Sequence, residues 1–317
     1  MGAGPARGAR GVRRHRPRAP RLPAGPRVGR HAPGRRRGRP QALRDPGLVS
    51  TLTALARRYD HVLLDLDGCV WVGDEPTPGA VETILALREA GMGVAFVTND
   101  GRHAGEDYVQ KLWRLGFRAS VEEVVTVGGA IQYLLAETGR WRSAHVVGAA
   151  SMHRHVADAG LHIVNGRDVP APDVVVVAAH DDFDYGELRD AVQAVLAGAE
   201  LVCAGRDAVF PMPGGPWPGT GAVVAAVEAA TGVRAVNAGK PAAQPFLTAL
   251  DRLGADPADP RALVVGDRLD SDAEGARAAG LDGAIVLTGA TSEAEARAAE
   301  PAPVAIAASL ADLLLAR

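Results

Sequence analysis

The chain has 317 residues, 47% of them hydrophobic and 23% charged, enough for one large domain or two modest ones. No apolar run reaches bilayer length, which argues against a membrane protein. Two cysteines, Cys69 and Cys203, make neither a disulfide framework nor a zinc site, so a reducing, cytoplasmic setting is expected.

The net charge of -2 hides a segregation. Residues 1–48 hold fourteen Arg and one acidic residue, Asp45, which leaves 21 basic against 36 acidic residues, about -15, in the rest. An acidic body argues against nucleic acid as a partner. The head is Arg, Pro, Gly and Ala, too poor in apolar surface to offset its ordering entropy, so residues 1–50 are expected to be a disordered leader. It has no Ser before Ser50, as a transit peptide would, no apolar stretch for secretion, and no aromatics interleaved for RNA. No Met lies between Met1 and Met92, so a second reading starts translation near Val49 or Leu52.

After residue 50 strands and helices alternate. His61–Asp67 is an apolar run ending in carboxylates and predicts a buried parallel strand. Helical periodicity runs from Pro78 to Ala90 and stops at Gly91. Gly93–Asn99 is the next strand, followed by a helix over Asp107–Leu115. Val124–Val127 and Ala130–Glu137 repeat strand then helix. The middle has its own strands, Ala144–Val147, Leu161–Val164, Val174–Ala178 and Leu201–Cys203. Helices at Ser151–Ala159, Tyr185–Ala197 and Thr220–Ala230 lie between them. Arg261–Gly266 and Gly283–Leu287 close the pattern. This predicts an α/β protein: a Rossmann-like parallel-sheet core over 51–141 and 233–317, with an α/β cap domain inserted over 142–232.

Four segments carry candidate chemistry, three of them at strand carboxyl ends, where open α/β sheets bind ligands. Asp65-Leu66-Asp67-Gly68 sets two acids one residue apart before a turning glycine. Such acids repel, and a hard divalent cation with oxygen ligands would relieve them. A solvated turn is the bland alternative. Thr98-Asn99 could cradle phosphate or simply cap a helix. Gly239-Lys240-Pro241 offers a point charge ahead of a helix starting near Ala242, with Pro241 in its first turn; an exposed Lys is the default. Lys111 and Lys240 are the only lysines. Asp267, Asp270 and Asp272 follow an apolar strand; a helix-dipole role suits Asp270 or Asp272 better than Asp267.

Taken in this order, with DLDGCVWVG, FVTN, PGTGAVVAAVE, GKP and VGDRLDSD, the chain resembles the haloacid dehalogenase superfamily over residues 60–315. It is most similar to the subfamily of p-nitrophenylphosphatase and NagD-like enzymes, with a large cap between the second and third motifs. The resemblance implies a Mg²⁺-dependent phosphatase of small-molecule phosphate esters. Asp65 would attack phosphorus and Asp67 would protonate the leaving oxygen, then activate water. The Asp65 carboxylate, the Asp67 backbone carbonyl and the Asp267 carboxylate would hold Mg²⁺. Thr98, the Asn99 amide and Lys240 would bind the phosphoryl oxygens, while Asp272 orients the groups around the ion. Caps of relatives often form dimer contacts, which makes a homodimer the expectation.

Two departures stand out. Asp100 follows Thr98-Asn99 where relatives carry Asn or a small residue, and it must point away or pair with Arg102. The His that pyridoxal phosphate phosphatases carry near Phe210 is absent. The loop Arg206–Gly215, with Trp217 beyond it, is expected to close over the site. Narrow phosphoglycolate or glycerol-phosphate scope stands against broad sugar and nucleotide scope. A receiver-like switch or a phosphate-binding module is the non-enzyme alternative.

Overall fold

The computed structural model describes residues 52–166, 170–210 and 215–316; the expected leader at 1–50 and the tip of the Arg206–Gly215 loop lie outside the described residues. The first stretch runs β1 (His61–Asp65), β2 (Trp71–Val72), β3 (Glu75–Pro76), α1 (Ala80–Glu89), β4 (Gly93–Thr98), α2 (Gly105–Arg114), β5 (Val124–Thr126) and α3 (Val127–Thr138). An inserted stretch follows: β6 (Ser143–Val147), α4 (Ala150–Asp158), β7 (His162–Ile163), β8 (Val174–Val177), α5 (Tyr185–Leu196), β9 (Glu200–Cys203), β10 (Val209–Phe210), β11 (Trp217–Pro218), α6 (Thr220–Thr231) and β12 (Val236–Asn237). The chain returns through α7 (Gln244–Arg252), β13 (Ala262–Gly266), a π-helical turn at Leu269–Ala273, α8 (Glu274–Ala278), β14 (Asp282–Val286), α9 (Glu293–Ala298), β15 (Ala305–Ala307) and α10 (Leu310–Leu314).

The first sheet is parallel, in the order β15-β14-β13-β1-β4-β5. β1 has a neighbour on each side and helices on both faces, which is why its sequence is continuously apolar. Its side chains alternate between two cores. Val62 and Leu64 pack with Val94, Phe96 and Val265 on one face; Leu63 packs with Ala95, Val97 and Phe246 on the other. From β1 the chain builds one way through β4 and β5, and later the other way through β13, β14 and β15. The order therefore reverses beside β1, and the crevice at the carboxyl ends opens there. Register sharpens this: Asp65 lies beside Val97, and Leu64 beside both Phe96 and Val265. Asp65, Thr98 and Asp267 thus emerge at one edge.

The inserted stretch forms its own parallel sheet, β12-β9-β8-β6-β7. It extends past the expected boundaries on both sides. Val236–Asn237, placed at the sequence level in the core, pairs with Val202 and Cys203 of β9. The apolar face of α3, also placed in the core, packs Val127, Ile131 and Leu135 against Val146, Val176 and Val202 of the inserted sheet. Both misplacements have one cause: a two-residue strand and the apolar face of a single helix carry no local sign of which sheet they join.

Candidate active site

Lys240 stands at the centre of the crevice. It is 5% exposed, and its Nζ donates to Oδ1 of Asp65 and, at 2.7 Å, to Oδ1 of Asp272. Asp65, Asp267 and Asp272 bring one carboxylate oxygen each within 4.8 Å of one another. One ammonium among three carboxylates leaves a largely buried cluster short of positive charge. Burial pushes Asp65 up and Lys240 pulls it back; Asp272 and Asp267 add to the rise, and the net is upward, to about 8. Burial works to lower Lys240, but Asp272 and Asp65 outweigh it and hold the ammonium above its ordinary range.

Each group is set by its local backbone. Gly68, at φ +87°, turns the chain after β1, and a Cβ there would lie 2.5 Å from Oδ2 of Asp267. The N–H groups of Cys69, Val70 and Trp71 then converge on the Leu66 carbonyl at 3.3, 2.8 and 3.1 Å, and the Asp67 carbonyl receives none of them. Past β13 the π-helical turn swings Asp272 back under Gly266, where any Cβ would collide with its carboxylate. Oδ2 of Asp272 accepts from the Arg268 N–H at 3.1 Å, so both its oxygens are engaged. Asp270 stays on the surface, paired with Arg268 at 3.1 Å.

These donors fit a hard divalent cation. Oδ2 of Asp267 accepts from the Ala290 N–H at 2.6 Å, while its Oδ1 is buried with no hydrogen-bond partner among the described residues. A buried carboxylate oxygen without a partner is costly unless a cation meets it. Burial raises Asp267 as well, against the Ala290 N–H; a bound cation would reverse that balance.

The other predicted residues gather at the same edge in different ways. Asp67 is exposed, outside the carboxylate cluster, and its Oδ1 accepts from Trp71 Nε1 at 2.7 Å. Thr98 is buried, and its Oγ1 accepts from the Asp100 N–H at 3.2 Å. The Asn99 side chain grips the lysine loop: Oδ1 accepts from the Lys240 N–H at 2.7 Å and Nδ2 donates to the Lys240 carbonyl at 3.1 Å. The helix after that loop starts at Gln244, with Pro245 rather than Pro241 in its first turn.

The chain matches the family model described as haloacid dehalogenase-like hydrolase over residues 62–162 and the HAD-hydrolase-like model over 237–313. It is 39% identical over 252 residues to the D-glycerol 3-phosphate phosphatase of Mycobacterium tuberculosis, covering 79% of this chain and 69% of that one. It is 31% identical to the acid sugar phosphatase of Staphylococcus aureus, covering 74% and 88%. The chain is a haloacid dehalogenase-like hydrolase. Solved structures agree. A glycerol phosphate phosphatase from Mycobacterium tuberculosis in complex with magnesium superposes with a TM-score of 0.75 at 38% identity, covering 83% of this chain and 78% of that one. The 4-nitrophenylphosphatase of Thermotoga maritima superposes at 0.74 with 28% identity, covering 82% and 98%. Within the family this chain is a phosphatase, a phosphoric monoester hydrolase. Among the described residues no helix is long and apolar enough to cross a membrane.

Against this haloacid dehalogenase-like frame, Asp100 is accounted for. It accepts from the Arg102 N–H (2.9 Å), Arg102 Nε (3.1 Å) and Tyr108 OH (2.7 Å), and meets His103 Nδ1 at 2.6 Å. Burial opposes its ionisation, yet the bonds from His103, Arg102 and Tyr108 hold the carboxylate well below its usual range. The hydrogen bond to Asp100 raises His103 in turn. A carboxylate so depressed adds stability above its ordinary value of 3.8, and that stability is lost as pH falls through the lower folded value. Urea unfolding of wild type and Asp100→Asn should therefore differ most at neutral pH, and the difference should shrink only as pH falls well below the ordinary carboxylate range. A difference independent of pH would show that the charge is not what these partners stabilise.

Several residues at the site were not singled out by sequence reasoning. Trp71 lies inside the quoted DLDGCVWVG, but its role appears only in space. It holds Asp67, stacks on Tyr108 at 6.3 Å and carries Lys111 Nζ 4.4 Å over its ring. Asp207, at the start of the predicted closing loop, lies 3.4 Å from Asn99 Nδ2 and 3.8 Å from Arg268. Ala290 follows β14 and had no chemical signal, because it acts through its backbone.

Proposed function

We propose that the chain is a Mg²⁺-dependent phosphatase of small phosphate monoesters in which Asp65 is the nucleophile. The observation that carries this is the pairing of Lys240 with Asp65 and Asp272 beside the unpartnered oxygen of Asp267. Lys240 fixes Oδ1 of Asp65, and the second oxygen has no partner among the described residues, which leaves it for phosphorus. As its O–P bond forms, the ester P–O bond breaks, and Asp67 gives its proton to the departing oxygen. Asp67 then takes a proton from water, whose oxygen forms a bond to phosphorus as the aspartyl P–O bond breaks. Trp71 holds the Asp67 carboxylate at the rim for both transfers. The Thr98 hydroxyl and the Asn99 backbone amide bind phosphoryl oxygens with Lys240. The Asn99 side chain is already committed to the Lys240 backbone and so positions that lysine.

The Asp65 and Asp267 carboxylates and the Asp67 carbonyl would hold Mg²⁺, with Asp272 orienting Lys240 and the turn. When bound, the ion supplies the positive charge that offsets the phosphoryl oxygens. A cytoplasmic location and a homodimer belong to the same proposal. Two free, buried cysteines support the first, and exposed Tyr185 and Leu196 on α5 support the second.

Magnesium at a hundredfold its Kd should stabilise the fold by about 2.7 kcal/mol, a Tm rise of roughly 5–10 °C for a chain of this size. EDTA should remove both that shift and p-nitrophenyl phosphate hydrolysis. Asp267→Asn should lose most of the shift; an undiminished shift in that variant removes Asp267 from the metal site.

A further inference from the structure

A cavity of about 610 Å³ opens beside Asp67, large enough for a sugar-sized group. Its lining contains no aliphatic side chain. One wall is a face of α2, where Asp107, Gln110, Lys111 and Arg114 recur at helical spacing; the loop bearing Arg102 and His103 closes the top.

Each acid here already accepts at least one hydrogen bond. Asp100 serves Arg102, His103 and Tyr108, and Asp107 caps the Ala104 N–H at 2.9 Å. Lys111 is tied to the Gly73 carbonyl at 2.9 Å. The side chains of Gln110 and Arg114 have no hydrogen bond or ion pair among the described residues, and both line the cavity. The wall facing Asp67 thus presents two uncommitted side chains that carry N–H donors, Gln110 and Arg114.

We propose that this cavity receives the departing alcohol and selects one that carries further oxygen acceptors, hydroxyl or carboxylate, which Gln110 and Arg114 bind. The inference rests on the phosphatase reading and on Asp67 as the proton donor, because the leaving oxygen must lie against Asp67. An alkyl group would displace water from Arg114 and Gln110 and return no hydrogen bond. An oxygen-bearing chain replaces that water with direct contacts, and a guanidinium binds a carboxylate through two parallel bonds.

The test compares kcat/KM for glycerol 3-phosphate, 2-phosphoglycolate, propyl phosphate and p-nitrophenyl phosphate in wild type and in a Gln110→Ala, Arg114→Ala double variant. Both positions are on the helix surface and accept Ala without strain. Wild type should prefer glycerol 3-phosphate or 2-phosphoglycolate over propyl phosphate by ~10-fold or more. The double variant should lose most of that preference through KM. Loss confined to 2-phosphoglycolate assigns the donors to a carboxylate; loss for glycerol 3-phosphate assigns them to hydroxyls. No preference in wild type, or one that survives in the variant, overturns the cavity assignment while the phosphatase reading stands. A wild type that hydrolyses none of the four overturns the phosphatase reading and this proposal with it.

Discussion

Asp65→Asn is expected to lower phosphate release from p-nitrophenyl phosphate by a factor on the order of 10⁴ or more, while the chain stays folded. An amide of the same shape keeps the packing at the end of β1 but cannot attack phosphorus. It also removes one of the three clustered carboxylates and leaves Lys240 paired with Asp272 at 2.7 Å. Its Tm without metal should therefore equal or exceed that of wild type, because a crowded negative charge has gone. Activity and stability then move in opposite directions, which a merely structural role for Asp65 would not produce. Full activity in Asp65→Asn would remove Asp65 from the chemistry.

Lys240→Met is expected to give the largest loss of stability among the site variants, about 3–5 kcal/mol without metal. A methionine of similar length fills the space but leaves Asp65 and Asp272 facing each other with no cation between them. At this chain length the cost corresponds to a Tm drop of roughly 6–20 °C. Magnesium should restore part of it, since the ion adds charge to the same cluster. Turnover should fall as well, by about 10²-fold or more, through loss of charge on the phosphoryl oxygens. An unchanged Tm would mean that the cluster is not held by this ion pair. Equal Tm losses with and without Mg²⁺ would separate the lysine site from the metal site.

Both predictions depend on contacts between distant parts of the chain. Lys240 and Asp65 are 175 positions apart, yet each was visible locally. Asp65 ends an apolar run at a glycine turn, and Lys240 is one of two lysines. Their order with Thr98-Asn99 and Asp267 made the family legible. What stayed hidden was allocation. Asp270 and Asp272 look alike in sequence, and only the π-helical turn sends one to Lys240 and the other to the surface. Asp100 looked like a liability beside a phosphate, and only α2 and its preceding loop bring Tyr108, His103 and Arg102 onto it.

By itself, the sequence determined the parallel α/β class, the strand ends that carry carboxylates, and the hydrolase family, because buried parallel strands are written as uninterrupted apolar runs. The tertiary structure alone decided which sheet received α3 and Val236–Asn237, that the Asn99 side chain holds Lys240, and that Asp267 keeps one buried oxygen without a partner. Those outcomes depend on pairing between strands far apart in the chain, and short local patterns carry no record of it.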